Sequence, residues 1–529
     1  MKRTTIAIAA TTLVLVQAAG VKAVGAQAAA PQVSVAQGML EGVHDYTVDS
    51  FKGIPFAAPP TGALRWRAPQ PASAWSGVRV ADHFAPDCLQ QAVPYDDAPL
   101  SVKPSEDCLY LNVWRPAGAA AGQKLAVIVW IYGGGFVSGG TSPAIYDGTS
   151  FARDGVICVS LNYRLGRFGF FGFPELTKVN ADHGDLGNYA FMDQIAALKW
   201  VRANIAAFGG DPDNVTIFGE SAGGMSVHAL LTSPEARGLF RRAIIQSGLG
   251  RTDKDGPRRL SGEGGQKTNK PSAEAVGVAF ARSQGITGTD AAALAALRAL
   301  PAEAVRGDLS LSTSSNEKDT FANTMVDGQV VPEPADAAYA AGHINAEAVM
   351  VGANTADISD SHATSKDALF TDFGPLAARA RRAYDPGGTA SLDALNAAVG
   401  ADAMMLEPAR MTAQRVAAHG VTVYAYRFGY TASQKRAASP LGAPHASELP
   451  FVFTTLDARY GEWATAQDHD MARLMHARWV AFAKGEAPWT AWTPAGDAVM
   501  QFTPNAQAVV GPDPLKARLD VTQARAEGK

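Results

Sequence analysis

From about residue 33 onward, short apolar runs rich in β-branched residues alternate with stretches of helical periodicity. Leu125 to Trp130, Val156 to Leu161, Asn214 to Phe218, Arg242 to Gln246, Ala348 to Val351 and Val421 to Phe428 read as strands. Most are apolar at successive positions, which is expected of strands covered by helices on both faces. Asn188 to Ala206 and Ala222 to Leu231 carry apolar residues three and four apart and read as helices. This alternation predicts an α/β protein with a mainly parallel, doubly wound sheet. Thr252 to Ser272 is polar and reads as a surface loop. Ser272 to Ala341 is Ala-rich and predicts a mostly helical insertion above the sheet.

The first residues break this pattern. Lys2 and Arg3 precede an uncharged apolar stretch from Thr4 to Ala19, and Val24-Gly25-Ala26 then offers small residues for cleavage. Residues 1–26 are therefore expected to be a secretory signal peptide, with Ala28 to Ala30 as rival cut sites. The apolar run is short of the ~20 residues a membrane span needs, so the mature chain is expected to have no membrane anchor. Residues 27–529 are expected to form one catalytic domain, in a secreted or periplasmic protein.

Composition narrows the picture further. Gly (52) and Pro (31) together make up only roughly a sixth of 529 residues, and 47% of the chain is hydrophobic. A large core follows, and disorder as the main state is excluded. The net charge of −4 gives no reason to expect nucleic acid as a partner. Of three cysteines, Cys88 and Cys108 lie in polar, loop-like surroundings, whereas Cys158 sits in a strand-like run. A Cys88–Cys108 bridge and a free, buried Cys158 are expected of an exported chain. No C-x-x-C pair occurs, so no structural metal is expected.

The strongest chemical signal is Gly219-Glu220-Ser221-Ala222-Gly223, between a strand-like run and a helix-like one. A serine on such a turn is pushed clear of the sheet, and a Cβ at either flanking glycine would collide with neighbouring backbone. Acyl transfer also needs donors for an oxyanion. Gly134 and Gly135 in Trp130-Ile131-Tyr132-Gly133-Gly134-Gly135-Phe136, with the N–H of Ala222, would supply three. In this architecture the nucleophile precedes the acid, and the acid precedes the histidine. Of ten histidines, His445, His469 and His476 follow the last predicted strand, and only His445 lies in a loop shortly after it. Asp357 follows the strand-like Ala348 to Val351 and is the expected acid, with Asp360 as the alternative.

With these residues in place, the chain resembles the type-B carboxylesterase family, which includes the cholinesterases. The resemblance runs through Phe51-Lys52-Gly53-Ile54-Pro55, Ser105 to Trp114, Gly133 to Phe136 and Asn162-Tyr163-Arg164. It continues through Phe208 to Pro212, the Ser221 turn, Gln246-Ser247-Gly248, and the His445 loop ending in Phe451-Val452-Phe453. It implies the α/β-hydrolase fold with helical insertions over the active site. It also implies a triad of Ser221, His445 and Asp357, the same three-donor hole and the same disulfide, with Asp357 standing where many relatives have Glu. The missing second cysteine pairs of animal members suit a bacterial exported enzyme.

Glu220, Glu448 and Ser247 are expected to support the triad from behind, with the two glutamates converging and sharing a proton. The expected activity is hydrolysis of a small-molecule carboxylic ester without cofactor. Phe136, Phe168, Phe170, Phe171 and Trp463 are candidates to line an apolar gorge or to be core. The alternatives are an esterase specialised for a toxin, polyester or carbamate, and a non-catalytic cholinesterase-like binding protein. Relatives of the latter kind typically lose the serine, which stands here.

Overall fold

The computed structural model describes Met1 and residues 30–93, 97–252, 255–262, 269–314 and 319–529. The expected signal peptide lies outside the described residues, apart from Met1. The main sheet has eleven strands: β1 (Val43–Asp45), β2 (Val48–Pro55), β3 (Tyr110–Pro116), β4 (Leu125–Ile131), β5 (Ile157–Leu161) and β6 (Gly210–Glu220), then β7 (Arg242–Gln246), β8 (Ala348–Asn354), β9 (Thr422–Phe428), β10 (Ala498–Phe502) and β11 (Ala508–Pro512). Gln32–Val35, Gly38–Glu41 and Val78–Val80 form a small separate sheet.

In space the order is β1-β2-β3-β5-β4-β6-β7-β8-β9-β10-β11. Pairing is parallel from β5 to β10 and antiparallel at both margins. The central strands are the apolar runs of the sequence, and Val127 to Ile131 are fully buried because helices cover both faces. The chain leaves β4 toward β5 and returns on the other side of β4 as β6. The crevice beyond the carboxyl ends of β4 and β6 is therefore a topological switch point, where open α/β sheets bind ligands.

Three helices fix this region. Helix α1 (Tyr189–Asn204) is buried along most of its length, and helix α2 (Ala222–Thr232) leaves the end of β6. Helix α3 (Ala466–Lys484) starts at a capping box formed by Thr465 and Asp468, and stops at left-handed Gly485. Arg164, after β5, is locked to Asp193 of α1. Its Nε and Nη2 donate to the carboxylate at 2.8 and 2.7 Å, and its backbone N–H adds a third bond at 3.0 Å.

The Ala-rich insertion is less helical than its composition suggests. Helices occupy Ala273–Ser283, Ala291–Ala299, Ala302–Arg306 and Ala335–Ala341, and residues 307–334 contain none among the described residues. That stretch is rich in Ser, Thr, Asp, Asn and Gly, whose side chains or flexibility compete with helical hydrogen bonding. Cys88 and Cys108 are bridged, both buried, and Cys158 on β5 is a free buried thiol. No helix among the described residues is long and apolar enough to cross a membrane.

Candidate active site

Ser221 joins β6 to α2 with φ 56° and ψ −122°, a conformation that a non-glycine residue adopts only under strain. The surroundings hold it there. The Ser221 N–H donates to the Gln246 carbonyl of β7 at 2.9 Å, and its own carbonyl accepts the first helical bond, from Met225. The flanking glycines are sterically required. A Cβ on Gly223 would lie 2.1 Å from the Ile131 carbonyl oxygen, and one on Gly219 would lie 2.4 Å from that of Gly223. The elbow read from the sequence is thus a turn that nothing larger than glycine could frame.

Gly133, Gly134 and Gly135 continue directly from β4 and face the same cavity as Ser221. Gly134 and Gly135 have φ of 95° and 61°, which a residue with a side chain resists. Among the described residues, the N–H groups of Gly134, Gly135 and Ala222 donate no hydrogen bond within the protein. These three donors remain free for a ligand oxygen at the positive end of α2.

Asp357 and His445 come from the loops after β8 and β9. The loops are tied together: the Ala356 N–H donates to the Ala443 carbonyl at 3.0 Å, and the Ala443 N–H donates to Thr355 Oγ1 at 3.2 Å. His445 Nδ1 meets Asp357 Oδ1 at 2.6 Å. The carboxylate is held by Ser247 Oγ at 2.6 Å and by the N–H groups of Asn354 and Ile358 at 3.0 and 2.9 Å. Burial acts to raise the Asp357 pKa. The His445 contact and the bonds from Ser247 and Ile358 outweigh it and hold the carboxyl below its usual value.

The other imidazole nitrogen, Nε2, stands 3.1 Å from Glu220 Oε1. That oxygen is buried and accepts no directed hydrogen bond, so the contact is one of charge rather than of aligned donor and acceptor. Burial opposes charge on His445, but the Glu220 and Asp357 carboxylates overcome it and push the ring up to about 10. Glu220 is pushed up to about 8 by burial, with His445 opposing and Glu448 and Asp357 reinforcing the shift. Each shift depends on the other's charge, so the two groups titrate as a pair. Glu448, raised by burial, accepts from Gln246 Nε2 at 2.9 Å and Asn354 Nδ2 at 2.7 Å.

Ser221 and His445 line one cavity of about 550 Å³ but share no hydrogen bond, because the ring edge is turned toward Glu220. Ile145, Ile358, Leu311 and Leu449, with Tyr146 and Tyr460, give the cavity an apolar wall, and Asp97, Lys435 and Arg459 add charge to it. None of the aromatic candidates lines it, and for the phenylalanines the core reading holds. Phe136, Phe168, Phe170 and Phe171 are buried core, where Phe136 and Phe170 pack edge to face 5.0 Å apart, and Trp463 is exposed. Asp360 and His362 are exposed, while His476 is buried on α3, where its Nδ1 bonds the Val452 carbonyl. Asn354, Gln246 and Trp479 complete the network around Glu448, with the Trp479 indole donating to Gln246 Oε1 at 3.0 Å. Asn354 and Trp479 carried no sequence signal and Gln246 only that of the resemblance, since the register of β7 and β8 against α3 is what brings them together.

The chain matches the Carboxylesterase family over residues 29–372 and 378–517. It is 35% identical over 478 residues to para-nitrobenzyl esterase of Bacillus subtilis (strain 168), covering 87% of this chain and 90% of that protein. Fumonisin B1 esterase of Sphingopyxis macrogoltabida is 35% identical over 470 residues, covering 85% and 81%. A solved structure of PNB esterase matches with a TM-score of 0.77 at 32% identity, over 93% of this chain and 99% of that one. The switch-point sheet is that of the α/β-hydrolase fold.

Proposed function

The chain belongs to the carboxylesterase family and is a type-B esterase, and from that premise we propose that it cleaves esters through an acyl-enzyme formed on Ser221. The observation that carries this is the Asp357–His445 contact at 2.6 Å beside a strained serine in one cavity. Ser221 Oγ attacks the ester carbonyl and His445 Nε2 accepts its proton, then returns it to the leaving alcohol. Water attacks the acyl-enzyme in the same way, with His445 again as base. Asp357 fixes the tautomer, with Nδ1 as donor, and stabilises the imidazolium. The N–H groups of Gly134, Gly135 and Ala222 receive the oxyanion. Nε2 turns from Glu220 toward Oγ as substrate seats, in keeping with catalytic bonds that tighten only in the complex.

A fluorophosphonate probe tests this directly. The expected result is stoichiometric labelling of Ser221, lost in Ser221→Ala, and no labelling of the folded wild-type protein would overturn the reading. A p-nitrophenyl ester series from acetate to decanoate, with its chain-length optimum, then measures how deep the acyl end of the cavity runs.

The reading extends to a secreted or periplasmic enzyme released from residues 1–26. It is supported by the Lys2-Arg3 start, the apolar stretch after it and the Cys88–Cys108 bridge, which suits an oxidising compartment. N-terminal sequencing of the mature protein is expected to begin near Gln27.

A further inference from the structure

A second cavity, of about 400 Å³, lies against α2 and shares no lining residue with the catalytic one. Its wall includes Met225 and His228 of α2, Gly250 and Arg251 after β7, Arg258 and Lys270, and Glu333, whose carboxylate is engaged by His343. His228 is buried, and its Nδ1 lies 2.7 Å from Tyr339 Oη. Tyr339 is fully buried and this is the hydroxyl's one hydrogen bond among the described residues, so its O–H donates to Nδ1. The imidazole proton then sits on Nε2, which has no partner. Burial pulls the ring's pKa down to about 4, against a smaller opposing effect of Asp336, so this is a neutral N–H donor.

Gly250 keeps the space beside that donor open. Its φ is +114°, and an added Cβ would stand 2.9 Å from His228 Nε2 and 3.2 Å from Thr412 Oγ1, which is also buried and unpartnered. The cations on the wall are not equivalent. Arg251 is neutralised by Glu407, with Nε and Nη2 each 2.5 Å from its carboxylate. Arg258 donates to the Pro271 carbonyl at 2.5 Å and forms no ion pair among the described residues. A guanidinium with no salt-bridged carboxylate, on which Asp319 acts only at longer range, and an imidazole N–H without an acceptor therefore border one cavity.

We propose that this cavity binds the carboxylate of a small organic acid, with Arg258 supplying the charge and His228 the directional donor. The chemistry fits two sources. One is a free acid bound apart from the reaction, and the other is the carboxylate-bearing acyl group of a substrate.

Titration of glutarate into the Ser221→Ala protein, followed by calorimetry, tests the site without relying on turnover. It therefore fails independently of the esterase reading. Binding is expected to weaken by about tenfold or more in Arg258→Gln, the loss of one charged hydrogen-bonding partner, and to stay within a few-fold of wild type in Arg258→Lys. His228→Asn, which keeps an N–H donor, is expected to retain part of the affinity that His228→Leu loses. Competitive inhibition of p-nitrophenyl butyrate hydrolysis by glutarate would assign the carboxylate to the acyl end of the substrate, and non-competitive inhibition would assign it to a separate ligand. No binding by the wild-type cavity, or equal binding in Arg258→Gln, would overturn the proposal.

Discussion

Two buried carboxylates of the molecule are treated in opposite ways. Asp193 on α1 is fully buried and receives three hydrogen bonds from Arg164. Glu220, one residue before Ser221, is also buried but faces an imidazole through an unaligned contact and leaves Oε1 without a hydrogen bond. The first arrangement supplies a permanent countercharge and fixes the loop after β5 to a helix. The second leaves the charge to be settled by a proton that can move. Pairing with an always-charged guanidinium builds structure, while pairing with a titratable ring builds a site whose charge state changes during turnover.

The largest expected effect falls on the catalytic side. Asp357→Asn keeps the shape but lets Nδ1 lose its acceptor, and kcat on p-nitrophenyl acetate is expected to fall about 10⁴-fold. A drop of only a few-fold would show that the contact at 2.6 Å is structural, and the contrast would collapse. Next is Asp193→Asn, which strands the Arg164 guanidinium in the interior. Urea unfolding is expected to show a loss of about 3–5 kcal/mol, with fluorophosphonate labelling of the folded fraction still complete. An activity loss without a stability loss would reverse the assignment of roles.

Glu220→Gln gives the smallest effect and the sharpest one. His445 must be neutral to accept the serine proton, and the Glu220 carboxylate favours the charged ring. Removing that charge lowers the ring's pKa, so the acidic limb of kcat/KM is expected to move to lower pH by about one unit. An unmoved limb, or one shifted upward, would show that Glu220 does not control the base.

Most of the frame was legible in the sequence because the physics that sets it is local. Strand runs such as Arg242 to Gln246 need both faces apolar, and Ser221 needs glycine on either side; both requirements are written in adjacent residues. The loop order that brings Asp357 to His445 follows from the chain order of strands in a parallel sheet. What could not be read depended on distant packing. For the phenylalanines both gorge and core were open readings; they lie in the core because aromatic rings cluster with one another, and nothing in their local pattern marks inward from outward. The turn of His445 toward Glu220 likewise depends on two loops and a strand end meeting.

Cys158 gives the molecule an internal clock. With Cys88 and Cys108 joined, it is the chain's one remaining thiol, and its side chain is completely enclosed under Gly148 and Trp114. Burial also drives its pKa well up, so the reactive thiolate is suppressed while the fold is intact. A thiol reagent added to the unreduced protein therefore modifies only molecules that have opened down to β5. At reagent concentrations where modification outruns reclosing, its rate counts how often the central sheet comes apart, and at lower ones it reports the open fraction, in both cases without engineering a reporter into it.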